Sequence, residues 1–462
     1  MSKLNAGDRI DGFELIEKLP SGGMASLWRA RRPDDAAPVV LKIPVLDPGE
    51  DVSVIVGYEV EELILKRLSG PHVPRFIGAG DLGRIPYLAM EFVEGTSLAK
   101  IAEDAPLAAD EIARIGIELA TALASLHAQK VVHLDLKPQN VILAPGRGAV
   151  LLDFGLARHA DLPDFLGEES SVPMGSAAYI APEQVLGERS DPGSDIFALG
   201  CILYELSTGE EPFGWPKTVA GMRRRLFHAP DRVLARRPEL PRWIDAVIAR
   251  CMEVDRARRY SDAAQVAFDL RHPDQVSVRI AKNTRPGLLT RLGKAFAKRS
   301  DFDLVGKPRG QLGAGAPAIV LVAVDLALGV DPLAEEVLAA TARVLASRRD
   351  SRLSCLTVLK TDLLGDTGQP TRSAYVDRLV ALKDWARPLE LPDHRISYHV
   401  VEAVSAADAV LAYAEHNGVS HIVIGARGSS AVRRHLGSVS TKVVAEASCS
   451  VSVVRLPRAI GT

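Results

Sequence analysis

Apolar positions along the chain fall into three successive regimes. From Ile10 to about Phe92 they form short strand-like runs punctuated by Gly and Pro, interrupted by one helical segment, Val52–Leu68. From Ser97 to about Leu270 helical patterns dominate. There Ile112, Ile115, Leu119, Ala122, Leu123 and Leu126 recur at three- and four-residue spacing and make one stripe that should face a core. A small β-rich lobe thus precedes a larger helical one. Beyond residue 317 the predicted strands Ile319–Val324, Ser354–Leu359, Ile396–Val401, His421–Ile424 and Ser450–Arg455 alternate with the predicted helices Leu333–Ala346, Ser373–Ala386, Ala406–Glu415 and Ser438–Ala447. Continuous apolar strands between helices predict a parallel sheet covered on both faces.

These regimes divide the chain into a first domain over 8–272, with lobes 8–92 and 93–272, a connector over 273–316 and a second domain over 317–457. The connector carries Pro273, Pro286 and Pro308, and between Arg279 and Arg309 it has nine basic residues against Asp301 and Asp303. That is +7, so the rest of the chain carries −9 to reach the total of −2. Two readings stand: a solvated linker, or a segment that docks on an acidic surface or an anionic lipid. Leu288, Leu292 and Phe296 are spaced for a short amphipathic helix, which Gly287 and Gly293 weaken.

Composition narrows the class. With 462 residues, 47% hydrophobic and 25% charged, the chain suits two or three folded domains, which excludes disordered and collagen-like classes. Balanced charge, 56 Lys plus Arg against 58 Asp plus Glu, gives the whole molecule no reason to seek nucleic acid. Cys201, Cys251, Cys355 and Cys449 lie far apart with no CxxC pair. They read as small buried apolar residues in a reducing compartment, not as a zinc or disulfide framework. The longest apolar stretches, such as Ala318–Val324, fall short of the roughly 20 residues of a membrane helix. The N-terminus has no signal-peptide apolar region, so the expectation is a cytoplasmic protein without a transmembrane segment.

The chemistry lies in an ordered set of polar residues. Lys42 ends the apolar run Val39–Leu41, and alone it would be a surface lysine. Glu61 sits on the helix 52–68 with Glu59 and Glu62 as competitors. Asp135, Lys137 and Asn140 fall within six residues, and Asp153-Phe154-Gly155 follows the apolar run Val150–Leu152. An acid, a cation and an amide, then a second acid directly after a strand, are what metal ions and a polyphosphate require. In this order, and with Ala181-Pro182-Glu183 behind them, the pieces resemble a protein kinase of the Ser/Thr type over about residues 8–272.

The resemblance implies a two-lobed α+β kinase fold that transfers the ATP γ-phosphate to Ser/Thr hydroxyls of proteins, itself included. It assigns Lys42 to the α- and β-phosphates, with Glu61 orienting it. Asn140 and Asp153 would hold Mg²⁺, or Mn²⁺ in its place; Lys137 would stabilise the transferred phosphoryl, and Asp135 would take the acceptor proton. Ser21, Gly22 and Gly23 would cover the phosphates. Met90 would be the gatekeeper, with Glu91, Phe92 and Val93 as the hinge that pairs with adenine through its backbone. Asp195 would brace the catalytic loop, and Arg259 would pair with Glu183. Three departures stand out. Pro20 and Ala25 replace two glycines of the phosphate loop and should stiffen it. Leu134 replaces the Arg that docks a phosphorylated activation segment, so that switch is absent. Ser176 stands where a Thr usually lines the cleft, after Ser170 and Ser171 in a loop made acidic by Asp161, Asp164, Glu168 and Glu169. Those three serines are candidate autophosphorylation sites. The rival reading is a pseudokinase, a nucleotide-responsive binding scaffold.

In the last domain Gly425-Ala426-Arg427-Gly428 follows a strand and Gly437-Ser438 opens a helix. Such a turn places backbone N–H groups at an anion, although a pair of glycines after a strand also marks a plain tight turn. Residues 317–457 resemble a universal stress protein domain, an α/β Rossmann-like fold, with Val324-Asp325 ending the first strand and Cys449–Val454 as the last. That resemblance implies ATP or another adenine nucleotide held by Asp325, Gly425, Gly428, Gly437 and Ser438, or else an unliganded packing or dimerisation module. The spacer Ser429–Leu436 is one residue short of the family pattern, and Leu326-Ala327 stands where it has Gly-Ser. The last strand commonly pairs with its copy in this family, so a homodimer is expected. A fusion of this make-up resembles bacterial kinases.

Overall fold

The structure is a computed structural model that describes residues 4–21, 23, 25–32, 35–45, 53–170, 172–277, 317–326, 331–348, 350–360, 372–426 and 437–456. Gly22, Met24, Ser171, Ala327, Arg427, Gly428, the spacer 429–436 and the connector beyond 277 lie outside the described residues. The chain divides into two compact units that change over between Ile280 and Ala281.

In the first unit, β1 (Arg9–Ile10), β2 (Phe13–Leu19), β3 (Ala25–Arg32) and β4 (Asp35–Pro44) precede α1 (Ser53–Leu65), then β5 (Phe76–Ala79) and β6 (Leu88–Glu91). They form an antiparallel sheet in the order β1-β2-β3-β4-β6-β5. Alternation along β4 sends Val39, Leu41 and Ile43 into a core shared with Phe13, Leu15, Trp28 and Tyr87. Val40 and Lys42 face the other way, where Val40 joins the core that takes in residues of α1.

The larger lobe opens with β7 (Thr96–Ser97), α2 (Leu98–Ala102) and α3 (Ala109–Ala128). The predicted stripe on α3 is fully buried. The chain continues through β8 (Val131–Val132), β9 (Val141–Ala144), β10 (Gly148–Leu151), β11 (Arg158–His159), α4 (Phe165–Glu169) and α5 (Pro182–Val185). It ends with α6 (Gly193–Thr208), α7 (Val219–Arg223), α8 (Val233–Arg236), α9 (Arg242–Cys251) and α10 (Ala263–Arg271). The strands β7 to β11 add to the mainly helical pattern expected for this region, and β10 is the strand expected before Asp153. They are two to four residues long, too short to show a period, and exist because they pair across loops in two small sheets. A 3₁₀ turn, Pro273–Gln275, extends this structure into the start of the expected connector.

The second unit runs β12 (Ala318–Ala323), α11 (Pro332–Ser347), β13 (Ser351–Lys360), α12 (Arg372–Ala386), β14 (Ile396–Ala403), α13 (Ala406–His416), β15 (His421–Gly425), α14 (Ser438–Glu446) and β16 (Ser450–Val454). All five strands are parallel, in the order β14-β13-β12-β15-β16. Along β12, Val320 and Val322 pack into one core with Leu333 and Val337 of α11, while Ile319 and Leu321 join Val410 and Tyr413 of α13 on the opposite face. This is the two-sided burial that the continuous apolar strands predicted. Cys201, Cys251 and Cys355 are buried as expected, whereas Cys449 is only partly buried, since it lies at the start of an edge strand. Among the described residues no helix is long and apolar enough to cross a membrane.

Candidate active site

Lys42 lies in the middle of the smaller lobe's sheet, paired to Leu27 on one side and Leu88 on the other. Its ammonium donates to Glu61 Oε2 at 2.6 Å and to Asp153 Oδ1 at 2.8 Å. Of the three glutamates on α1, the helix rotation turns Glu61 inward to 1% exposure, and its other oxygen accepts from the Phe154 amide at 3.3 Å. Burial by itself would lower the lysine's pKa, but Asp153 and Glu61 carry it above the ordinary lysine range. Burial likewise disfavours the Asp153 carboxylate, yet Lys42, then Lys137 and His133, hold it down at about 2. The Glu61 carboxyl, pushed up by burial and drawn back by Lys42, ends above the usual carboxylate range.

The loop between β8 and β9 is over-determined. Leu134 and Asp153 have left-handed backbone, φ +63° and +62°, unusual for residues other than glycine. Leu134 is held there by Asp195, whose carboxylate accepts from the amides of His133 and Leu134 at 2.8 and 2.9 Å and from His127 at 2.8 Å. On the other side Gln184 donates to the Leu134 carbonyl at 2.8 Å. His133 bridges the two motifs: one ring nitrogen meets the Leu152 carbonyl, the other accepts from the Asp135 amide, and its ring packs on Phe154.

Asp135 is thereby set among donors. Lys137 Nζ reaches its Oδ2 at 2.7 Å, and the Ser176 hydroxyl and amide reach its Oδ1 at 2.7 and 2.8 Å. Lys137 also donates to the Ser176 hydroxyl at 3.1 Å. Asn140 turns its amide nitrogen to the Asp135 carbonyl and carboxylate, which leaves its oxygen facing the other way. With Asp153 nearby, that is a pair of hard oxygen donors suited to a divalent cation that fills its remaining positions with phosphate and water.

Of the residues expected to meet a nucleotide, Met90 and Val93 are buried, and Ser21 and Gly23 lie in the exposed turn between β2 and β3. A side chain at Gly23 would meet nothing, so steric demand does not explain this glycine. The amides of Glu91 and Phe92 donate to the carbonyls of Arg75 and Pro38, and the Glu91 carboxylate turns away to Arg147 and the Arg75 amide. Those two amides are already committed, so a purine edge at the expected hinge would be left with the Val93 amide and the hinge carbonyls. The acidic groups of residues 161–169 are partly paired or buried, with Asp161 remaining exposed. Asp164 pairs with the buried Arg189 at 3.1 Å, Asp161 with Lys130 at 2.9 Å, and Glu168 is buried. At its far end Glu183 and Arg259 form a buried bidentate pair at 2.6 and 2.8 Å, joined by the Ser194 hydroxyl.

In the second unit Asp325 follows β12 and Gly425 ends β15, the two adjacent strands from which the chain winds outward in opposite directions. Gly437 caps α14 and Ser438 begins it. A side chain at Gly425 would stand 3.1 Å from Leu333 and 3.2 Å from Val337, so it would fit only if those side chains of α11 gave way by a few tenths of an ångström.

The model of the protein kinase domain matches residues 13–271, more than half of the chain. The chain belongs to the protein kinase family. That membership implies use of ATP and a divalent metal. The universal stress protein family model matches residues 318–455, and the parallel five-stranded sheet agrees with it. A probable serine/threonine-protein kinase of Corynebacterium efficiens is 32% identical over 56% of this chain and 41% of its own length. PknB of Lactococcus lactis and PknB of Mycolicibacterium smegmatis, the latter named a serine/threonine-protein kinase, are 30% and 31% identical over 56% of this chain and 42% of theirs. The chain therefore spans about two fifths of the length of these relatives. The kinase domain of Mycobacterium tuberculosis PknI aligns with 58% of this chain and 99% of that chain at 24% identity, TM-score 0.47.

Against the kinase motifs, two contributors escaped the sequence reading. Gly57 lies one turn before Glu61, and a Cβ there would stand 3.2 Å from the Gly155 carbonyl oxygen. The sequence signal was a glycine inside a helix, which costs about 1 kcal/mol unless a close approach needs it. Gln184, next to the Ala-Pro-Glu motif, had no local signal, because its partner Leu134 is 50 residues away.

Proposed function

We propose that the chain transfers the γ-phosphoryl group of metal-bound ATP to Ser or Thr hydroxyls of proteins. The observation that carries this reading is the convergence of five charged groups from four stretches of the chain: Lys42 on Glu61 and Asp153, and Lys137 on Asp135. Phosphoryl transfer asks the protein mainly to position groups and neutralise spreading charge. Lys42, held charged, meets the α- and β-phosphates; Asp153 and the free side of Asn140 hold Mg²⁺; Lys137 faces the transferred group. Asp135 orients the acceptor hydroxyl and takes its proton, with Ser176 and Lys137 fixing both carboxylate oxygens. Ser21, Gly22 and Gly23 cover the phosphates, and Val93 meets adenine. Mg²⁺ supplies charge neutralisation on the phosphate oxygens when bound.

The test is transfer of labelled phosphate from ATP with Mg²⁺ to the chain itself and to a generic Ser/Thr acceptor, with Asp153→Ala as control. Signal well above the control is expected; none above it would leave a nucleotide-responsive scaffold.

For the second unit we infer an adenine nucleotide at the C-terminal ends of β12 and β15, near Asp325, Gly425, Gly437 and Ser438. Support comes from the position of these residues at the switch in strand order, where parallel sheets receive ligands. Equilibrium dialysis of radiolabelled ATP with the unaltered chain should find two ATP bound per chain at saturation, and a plateau at one would count against the second site. The open edge of β16 supports pairing with a second copy and hence a homodimer, which sedimentation would test. A cytoplasmic location fits the three buried cysteines.

A further inference from the structure

Arg225 is the largest fully buried side chain among the described residues, at 1% exposure, yet no carboxylate among them pairs with it. Its guanidinium donates instead to three backbone carbonyls: Ile180, Ala177 at 2.5 Å and Met222 at 3.0 Å. The cation also stands over the Phe213 ring, 4.8 Å from its centre. Burial disfavours the charged form and pushes its pKa below the ordinary arginine value. A buried cation without a counter-charge is expensive, so what it holds matters.

It holds the loop 176–180. That loop turns sharply, with the amides of Tyr179 and Ile180 both donating to the Ser176 carbonyl at 2.9 Å. The turn buries Ala178, Tyr179 and Ile180, and its carbonyls at 177 and 180 take their donors from Arg225. Its first residue, Ser176, is the one whose amide and hydroxyl grip Asp135. The other end of the connection is lightly anchored. None of the residues of α7 is buried, and in the 3₁₀ turn Arg224–Leu226 that follows, Arg225 is the buried one.

We propose that Arg225 is a positioning residue for the acceptor side of the reaction, presenting the loop 176–180 to the incoming Ser/Thr segment while leaving the nucleotide side untouched. This rests on the kinase reading above. The separation follows from geometry: Arg225 bonds the loop beside Ser176, whereas Lys42, Glu61 and Asp153 are tied to one another through α1 and the turn at Asp153.

The experiment is steady-state kinetics of the full chain with myelin basic protein as acceptor, varying acceptor and MgATP separately. Arg225→Met keeps the length and loses every donor; Arg225→Lys keeps the charge and loses the planar fork. For Arg225→Met the expected result is a fall in acceptor kcat/KM of about tenfold or more, mainly through KM, with the ATP KM within about twofold. Arg225→Lys should fall between it and the unaltered chain. Parallel loss in acceptor and ATP parameters, the mark of a merely structural rivet, would overturn the proposal, as would unchanged acceptor kinetics. Should Arg225→Met not fold, the same split read on Arg225→Lys decides. Failure of the unaltered chain to exceed Asp153→Ala would instead bring down the kinase reading, and this proposal with it.

Discussion

Replacing Gly57 tests how closely α1 must approach the turn at Asp153. A Cβ on Gly57 would sit 3.2 Å from the Gly155 carbonyl oxygen and 3.8 Å from its carbon, and one on Gly155 would sit 3.5 Å from the Gly57 carbonyl oxygen. Alanine therefore asks the two backbones to part by a few tenths of an ångström, while its helix propensity returns about 1 kcal/mol. Valine adds two further carbons on the same line, an overpacking that costs about 1–3 kcal/mol if nothing moves. The soft response is a shift of α1, which carries Glu61, one turn along, away from Lys42 and from the Phe154 amide; the pairs now at 2.6 and 3.3 Å lengthen together. Misplacement of about 1 Å away from the chemistry can cost on the order of 100-fold in rate. We expect Gly57→Ala to lower kcat about threefold with an equal or slightly higher Tm, and Gly57→Val to lower it roughly 10- to 100-fold. The assay is phosphate transfer at saturating MgATP and acceptor, beside thermal melts followed by circular dichroism, in which 1 kcal/mol corresponds to about 2–4 °C. Full kcat in Gly57→Val would refute the reasoning, and so would an activity loss that merely tracks the unfolded fraction at the assay temperature.

Asp135→Asn should abolish transfer while MgATP still raises the Tm, because Lys42, Asn140 and Asp153 remain; loss of that ligand-induced shift would count against the assigned roles. Arg259→Met removes the bidentate partner of Glu183 and leaves a buried carboxylate unpaired, so the first unit should lose about 3–5 kcal/mol in urea unfolding. A cost below about 1 kcal/mol would contradict this. Because the folded Glu61 carboxyl titrates above its ordinary 4.5, kcat/KM for ATP should fall as pH drops through that raised value, and Glu61→Gln should lose this acid limb at a lower plateau. A limb that survives the substitution belongs to another group. Asp153 has the opposite sign. Its pKa is lowered from 3.8 to about 2, so its stabilising contribution is complete above the ordinary value and is lost only as pH falls towards about 2, which acid unfolding of Asp153→Asn against the unaltered chain would display.

How much of the site was legible in the chain depends on how local each signal is. Asp135, Lys137 and Asn140 sit within six residues, and Asp153 follows its strand directly, so their order alone resembles a kinase. Glu61 had two rivals on the same helix, and only the rotation of α1 against β4 turned it to Lys42. The acidic stretch 161–169 was legible only as an acidic loop, because the chain does not show that Asp164 meets Arg189, 25 residues on. Arg225 carried no signal at all, since the loop it holds offers it only backbone carbonyls 45 and 48 residues away. In the second unit the alternation of apolar strands and helices was enough to foresee the parallel sheet. The tight approach of Leu333 and Val337 to Gly425 was not visible there.

By itself, then, the sequence determined the two architectures and the identity of the groups that carry charge, because hydrophobic period and motif order are properties of short stretches. The pairing of Glu61 with Lys42, given in the sequence only through the family resemblance, took its geometry from tertiary structure, which alone decided which amides of the hinge are already committed and which buried cation holds the loop beside Asp135. Those outcomes depend on burial and on hydrogen-bond partners far away in the chain, where removing a charge or a carbonyl from water obliges the fold to supply a partner, and only the assembled core shows which one it supplied.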